Sequence, residues 1–546
     1  MELLMTPTLT QALAPLSILF LLYHLGKAYF FQEQSDLWTS QPTIGLEKTW
    51  FPWLRATLLS VTRTKVWAFD AYSKYSKRNI PYIMPCIDRG AMVIIPPQQI
   101  KKVYDLPESI LDVHDIQNET IQTRWTVADQ EVANNNFQIN VIRNQITRNL
   151  KHLTPMIATE LEYGFERWWG TGTEWKEINV WESCLQLIAG AANGAFCGAP
   201  LCRDDEFLKC LRDHAMAIFA GAMVINSSPK PIKPIFGTLV SWLCRFLCAR
   251  ALKRCLPTVR ERLDNTAGLK ADPSYDWIPP KDGLQWIIDE CYATGNPIQL
   301  DPNRVSQRLL LVNDISLHST SYTVQNVILD LFSTDPELGF VDAMREECAQ
   351  VLEEAGGSWT FDAVKKLKLV DSAIRESMRL SPFGTIALPR RVIAPNGISL
   401  ENVDVRVPYG SILALPVEPI HYDEAIYSNP YQFNAFRFSQ PATRSLVDYL
   451  ASEKPQENES QNANKKSKST VTLDDSFLGF GFGKNACPGR FFALNEMKIF
   501  MAHMLLNYEI EYMPARPEIQ NVVWLKMPAN TRKMVKCAPN PPAGQF

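Results

Sequence analysis

The sequence is short of several things at once. It has no Gly-x-Gly-x-x-Gly stretch and no flavin-type module, so a built-in nicotinamide or flavin site is excluded. It has no internal repeat, which excludes a solenoid or propeller. No break in composition marks a linker in its middle. Net charge is only −3 over 546 residues, without the basic excess of a nucleic-acid binder. Twelve cysteines are present, but without short regular spacing. Cys244 and Cys248 stand one helical turn apart with no histidine beside them, and Cys197, Cys202 and Cys210 are no better placed for zinc. Cysteines scattered through so long a chain read as reduced core residues of a reducing compartment. What is plentiful is apolar residue, 46%. That supports one large core, so a single large domain is preferred to the about three or four that length alone allows.

Leu9 to Phe31 is rich in Leu, Ala, Ile, Phe and Tyr, with no acidic residue and only His24 and Lys27 near its far end. A bilayer needs about 20 such residues. The basic start and small-residue cleavage site of a signal peptide are not evident, so residues 1–35 are expected to form an N-terminal membrane anchor and 36–546 the functional domain. Trp38, Trp50, Phe51 and Trp53 suit either a membrane interface or a core. Ala68–Lys77 reads as helix, and Ile80–Met84 and Met92–Ile95 as short strands before a Pro96-Pro97 turn. From Val141 to Phe332 the pattern is mainly helical, with interruptions at Gly221–Pro234 and Asp272–Pro280. Ser452–Thr470 is polar, charged and low in complexity, and is expected to be a disordered surface insertion.

One stretch organises the rest. Phe480–Ala493 places Cys487 among Gly481, Gly483 and Gly489, and a long apolar run with helical periodicity, Phe491 to Leu506, follows it. Glycines let backbone pass close to a bulky planar group and let amides turn towards a sulfur. A helix N-terminus favours a thiolate, and Pro488 suits a first helical turn. The pattern is built to hold one deprotonated cysteine, a good axial ligand for haem iron.

The order Phe-x-x-Gly-x-x-x-Cys-x-Gly resembles the haem-binding loop of the cytochrome P450 family, and Cys-Pro-Gly-Arg-Phe-Phe-Ala is similar to its fungal membrane-anchored secondary-metabolism members. The resemblance implies a fold that is mainly α with small β sheets (α+β), the β-rich part lying near the N-terminus. It also implies haem b as cofactor, held by Cys487 as iron ligand with Phe480, Gly483 and Asn485 of the loop around it.

Supporting motifs are individually weak and collectively informative. Glu376-Ser-Met-Arg379 puts two charges on one helix face. Asn429–Phe438 resembles the family's Pro-x-x-Phe-x-Pro-x-Arg-Phe segment, with Ala435 replacing a proline. By resemblance Glu376, Arg379 and Arg437 form a buried charge triad behind the haem. Of Arg390 and Arg391, Arg391 matches best the arginine that binds a haem propionate, a task suited to a planar guanidinium. Asn485 stands where a second cationic residue is usual, and the family's Trp-x-x-x-Arg motif is missing, with Arg143 and Arg148 as open candidates.

The helix expected over Leu309–Leu331 contains Ile315-Ser-Leu-His318-Ser319-Thr320-Ser321, which resembles the family's oxygen-activating segment. By that resemblance Ser319 carries the proton-passing hydroxyl, with Thr320 beside it. His318 replaces an acid, either as a relay titrating near neutrality or as a structural hydrogen-bonder. The apolar run His214–Val224 falls where the family has the lid of its substrate channel. Pocket residues by resemblance come from Val113–Asn118, His214–Val224, Asn313–Leu317, Phe383–Leu388 and Trp524–Met527.

The reaction implied is insertion of one atom of O2 into an apolar small-molecule substrate, terpenoid-like or another secondary metabolite. Electrons come from NADPH through a separate partner, NADPH-cytochrome P450 reductase, for which Lys484 and Arg490 offer docking charge. The expected location is the endoplasmic reticulum membrane, single-pass, with a cytosolic catalytic domain. Two other classes stay open: a reductase-independent haem-thiolate isomerase or dehydratase, and a non-catalytic haem sensor.

Overall fold

The structure is a computed structural model that describes residues 40–439 and 468–538. The expected anchor over Leu9–Phe31 and most of the polar stretch fall outside the described residues.

Eight helices carry the argument: α1 (Pro52–Lys74), α2 (Leu150–Trp168), α3 (Val180–Phe196), α4 (Asp205–Ser227), α5 (Lys233–Ala271), α6 (Pro302–Leu331), α7 (Lys368–Leu380) and α8 (Arg490–Asn507). Their starts follow local chemistry. Asp204 caps α4 by accepting the Phe207 amide, and Asp301 caps α6 by accepting the Arg304 amide, with Pro302 next, where a missing N–H costs nothing. The 30-residue α6 is about 45 Å long. It packs against α3, α4, α5, α7 and α8, which makes it the axis of the helical core.

A five-stranded sheet flanks that core. Its strands are β1 (Tyr82–Cys86), β2 (Gly90–Ile94), β3 (Leu111–Asp112), β4 (Ala387–Val392) and β5 (Ile412–Leu415), in the order β1-β2-β5-β4-β3. β1 and β2 form an antiparallel hairpin, β2 runs parallel to β5, and β5 is antiparallel to β4. The β region is therefore not wholly N-terminal: two of its strands come from beyond residue 386 and bring the end of α7 to it.

Three boundaries differ from those expected. The interruption at Gly221–Pro234 is shorter, because α4 runs on to Ser227 and α5 begins at Lys233. Helix α8 begins at Arg490, so Pro488 precedes the helix instead of opening it. The end of the expected disordered insertion is ordered: Thr470 is fully buried, its amide and hydroxyl both bonded to the Asp371 carboxylate. Polar composition hid this, since an anchor made of Ser and Thr looks like any solvated stretch.

Helix α5 is the one helix among the described residues long and apolar enough to cross a membrane, by length and composition only. Here it packs on α4 and α6 while Ile235, Leu239, Trp242, Leu243 and Phe246 remain exposed.

Candidate active site

The cysteine loop closes on itself. The Cys487 amide donates to the Phe480 carbonyl at 2.9 Å, and Arg490 donates back to the Cys487 carbonyl at 2.9 Å. Gly483 has φ 68°, and a side chain there would stand 3.2 Å from the Tyr104 carbonyl oxygen, so both conformation and space require glycine. Gly481 is likewise left-handed, at φ 82°.

Of the twelve cysteines, Cys487 is the only exposed one; the other eleven are buried. Its side chain is nonetheless heavily surrounded by protein, as that of a residue lining an internal cleft is. Burial pushes its thiol up, and the amides of Gly489 and Arg490 with the Arg490 charge only partly offset this. The helix N-terminus thus offsets part of what burial does to the sulfur. One open sulfur, faced by two amides in a glycine-relieved loop, fits a thiolate ligand for a planar metal-bearing group.

Behind the loop lies a charge network in which almost every group is satisfied. Glu376 and Arg379 are both 0% exposed and meet in a two-bond fork, 2.8 and 2.9 Å. Arg379 also donates to the carbonyls of His421 and Pro430, at 2.7 and 2.8 Å. Arg437 donates to both Glu376 oxygens at 2.9 Å. The sequence-expected trio is therefore assembled. Sequence reasoning missed the residue that joins it to the cysteine loop. His421 bonds to the Arg379 carbonyl through Nδ1 at 3.1 Å and accepts the Leu478 amide through Nε2 at 2.9 Å. Burial, with help from the Arg379 charge, pushes its pKa down to about 3, so it stays neutral with Nε2 free to accept.

On α6 nearly every residue from Val305 to Leu331 is buried, yet Ile315 and Ser319 are exposed. They are four apart, so they form one open stripe on a helix packed against α8. The Ser319 hydroxyl donates to the Ser316 carbonyl at 3.3 Å. Of its two expected companions, Thr320 shares its acceptor and His318 turns away. Thr320 is buried with its hydroxyl on the Ser316 carbonyl at 3.1 Å. His318 is turned to the neighbouring helices, its ring 6.2 Å from those of Trp181 and Phe219. Consecutive helical residues are about 100° apart, which takes His318 off this face while the two hydroxyls still reach one carbonyl.

The geometry also divides the two arginines. Arg391 pairs with Glu119 on the outer side of β4. Arg390 is buried, its guanidinium 5.0 Å from the Tyr104 ring centre, and Tyr104 is the residue whose carbonyl abuts Gly483. Arg391 is the expected propionate partner, but strand alternation puts Arg390, with Val392, on the buried side of β4. Asn485 is half-buried in the loop's short 3-10 turn. Two of the pocket segments are joined: Gly384 bridges to Leu525, with the Trp524 ring packed on Gly384. A small surface notch lined by Glu160, Tyr163, Arg167 and Arg203 involves none of these residues.

The comparison with known proteins decides what this arrangement is. The family model described as Cytochrome P450 matches residues 253–534, which hold α6, the charge network and the cysteine loop. The chain belongs to the cytochrome P450 family. It is 46% identical over 515 residues to cytochrome P450 monooxygenase okaG of Penicillium ochrochloron, covering 93% of this chain and 95% of that one. It is 34% identical to cytochrome P450 monooxygenase gloP of Glarea lozoyensis over 90% and 89% of the two chains. With htyF of Aspergillus rugulosus the identity is 32%, over 90% and 71%. As a cytochrome P450 the protein is an oxidoreductase of the monooxygenase class. The family uses haem b, and its monooxygenases need O2, a substrate and a redox partner. Glu376, Arg379, Arg390, Ser319 and Cys487 all lie inside the matched span.

Proposed function

We propose that this cytochrome P450 inserts one oxygen atom into an apolar natural product, terpenoid-like or another secondary metabolite, with Cys487 as the haem ligand and Ser319 as the hydroxyl on the opposite wall. The observation that carries this reading is one open sulfur in the loop leading into α8 together with one open serine on α6, the helix packed against α8. When bound, haem supplies oxygen activation and the oxidising power. Everything else falls to the chain. The Gly489 and Arg490 amides orient the Cys487 sulfur. Arg390, braced on Tyr104, offers a propionate a planar charged partner. Ser319 holds and passes a proton at its Oγ, releasing its bond to the Ser316 carbonyl to do so. Ile315 and the Phe383–Leu388 segment give the substrate an apolar wall and exclude water.

An apolar substrate is supported by α4, where Met216, Phe219 and Val224 are exposed. Electrons are expected from NADPH-cytochrome P450 reductase, and residence at the endoplasmic reticulum membrane from the Leu9–Phe31 segment. The apolar side chains exposed on α5, together with Trp50, Phe51, Leu54 and Leu58 by α1, suit contact with lipid. The test has two parts. The purified, reduced, carbonyl-bound protein should show the absorption band of thiolate ligation. Deletion of the gene in its host should cause an apolar, less oxidised metabolite to accumulate. Its conversion in vitro should require reductase, NADPH and O2; turnover without them would move the protein to the isomerase or dehydratase class.

A further inference from the structure

Helices α4 and α6 share a charged contact that the chemistry above does not use. His214 of α4 and Asp314 of α6 are 5% and 3% exposed, and Nδ1 of the histidine lies 3.0 Å from Oδ1 of the aspartate. The other carboxylate oxygen, Oδ2, is buried without a hydrogen-bond partner among the described residues. So is Nε2 of His318, one helical turn further along α6. The remaining groups about the pair supply little charge. Cys244 and Cys248 face Asp314 from α5, and burial pushes both thiols up, to about 11 and about 12, so they are neutral. Burial pushes His318 down, so it too is neutral, and Arg212 adds its charge on the His318 side. From α3 the nearest ring is that of Trp181, against His318. His214 is thus the group beside Asp314 that can carry a directly balancing positive charge. A carboxylate buried this deeply with half its acceptors empty is tolerated only while a positive partner stays beside it.

We infer that His214 and Asp314 form a protonation-dependent latch that seats α4 on α6, making His214 a positioning residue for access to the site. This rests on the reading of α4 as the wall through which substrate enters. With the imidazole charged, the pair holds the two helices together. With it neutral, Asp314 keeps one weak hydrogen bond and a full desolvation cost, and α4 is relieved by moving away and admitting water. The direction with pH follows from the same geometry. Burial would lower the histidine's pKa, but the Asp314 charge and hydrogen bond outweigh it and leave it raised. A raised histidine stabilises the closed seat fully below its unfolded value, about 6.5, and loses that contribution as pH rises through the higher folded value.

The test uses the haem-loaded full chain. Amide hydrogen exchange in Asp205–Ser227, corrected for the intrinsic pH dependence of exchange, is compared at acidic and alkaline pH, with α8 as internal control. In the wild type, α4 protection should fall roughly tenfold or more on the alkaline side while α8 is unchanged. His214→Gln, which keeps a hydrogen bond but cannot charge, should remove that pH dependence and hold α4 at its alkaline level throughout. Asp314→Asn should do the same. A wild-type profile that is flat with pH, or a His214→Gln profile that still follows the wild type, overturns the latch. Carbon monoxide recombination after flash photolysis reads the access path separately, and should quicken in both variants. Altered exchange with unchanged recombination would overturn α4 as the entry wall while leaving the latch standing.

Discussion

The two walls of the site are built on opposite plans. Behind Cys487, Glu376 has two arginines, Arg379 fills its donors with a carboxylate and two carbonyls, and His421 uses both nitrogens. On α6, the proposed opposite wall, six hydroxyls bond back to the helix's own carbonyls, that of the exposed Ser319 among them, and five buried polar atoms have no partner among the described residues. The first plan fixes a geometry, because every group would lose a partner by moving. The second leaves hydrogen bonds that are weak, local and exchangeable, which a helix that handles protons and follows a mobile neighbour needs. On the proposed reading, the fixed network lies where a sulfur is to be held at one point, and the exchangeable bonds where water and substrate are to pass.

The contrast breaks most completely at the sulfur. Cys487→Ser should abolish the thiolate-type carbonyl band and reduce oxidation to background, while circular dichroism stays that of a folded protein. Next in size, Glu376→Ala strands two arginines, one fully buried and one largely so, at a cost of roughly 3–5 kcal/mol, and should leave little soluble haem-loaded protein. Normal haem loading in that variant would show the rigid wall to be dispensable. On the compliant wall, Ser319→Ala should fold normally and lower product formed per NADPH oxidised by about tenfold to a hundredfold, with Ser319→Thr restoring it.

Smaller effects sharpen the picture. Arg390→Leu should weaken haem retention by roughly tenfold, as loss of one charge-assisted bond does. Arg391→Leu, which breaks only an exposed pair with Glu119, should change it by less than about twofold; the reverse order would return the propionate to Arg391. Last, His421 has a depressed pKa, so it stabilises the fold above its unfolded value and loses that contribution as pH falls below about 6.5. The melting temperature should drop on acidification by less in His421→Gln than in wild type.

How much was legible in the sequence depended on how local the cause was. The cysteine loop could be read because its glycines and helix lie within a dozen residues of Cys487. Glu376 and Arg379 could be read because three residues on a helix is one turn. His421 could not, since its bonds run to residues 42 and 57 positions away. His214 and Asp314, 100 residues apart, gave no signal either; each looked like a stray polar residue in an apolar helix. Arg390 and Arg391 could not be separated without knowing which side of β4 faces inward. Of the grouping of His318, Ser319 and Thr320, the two hydroxyls do meet at the Ser316 carbonyl, whereas the turn of the helix carries the His318 ring towards Trp181 and Phe219.

The two ends of the polar stretch have a practical meaning. The Phe438 amide is held by the Ser372 hydroxyl at 3.0 Å, and Thr470 is held by Asp371 next door. The chain departs from and returns to adjoining residues of a single helix turn, so whatever lies between is bracketed by one fixed gate. A guest domain whose own termini sit close together, such as a fluorescent reporter, can be grafted there with the catalytic body left undisturbed.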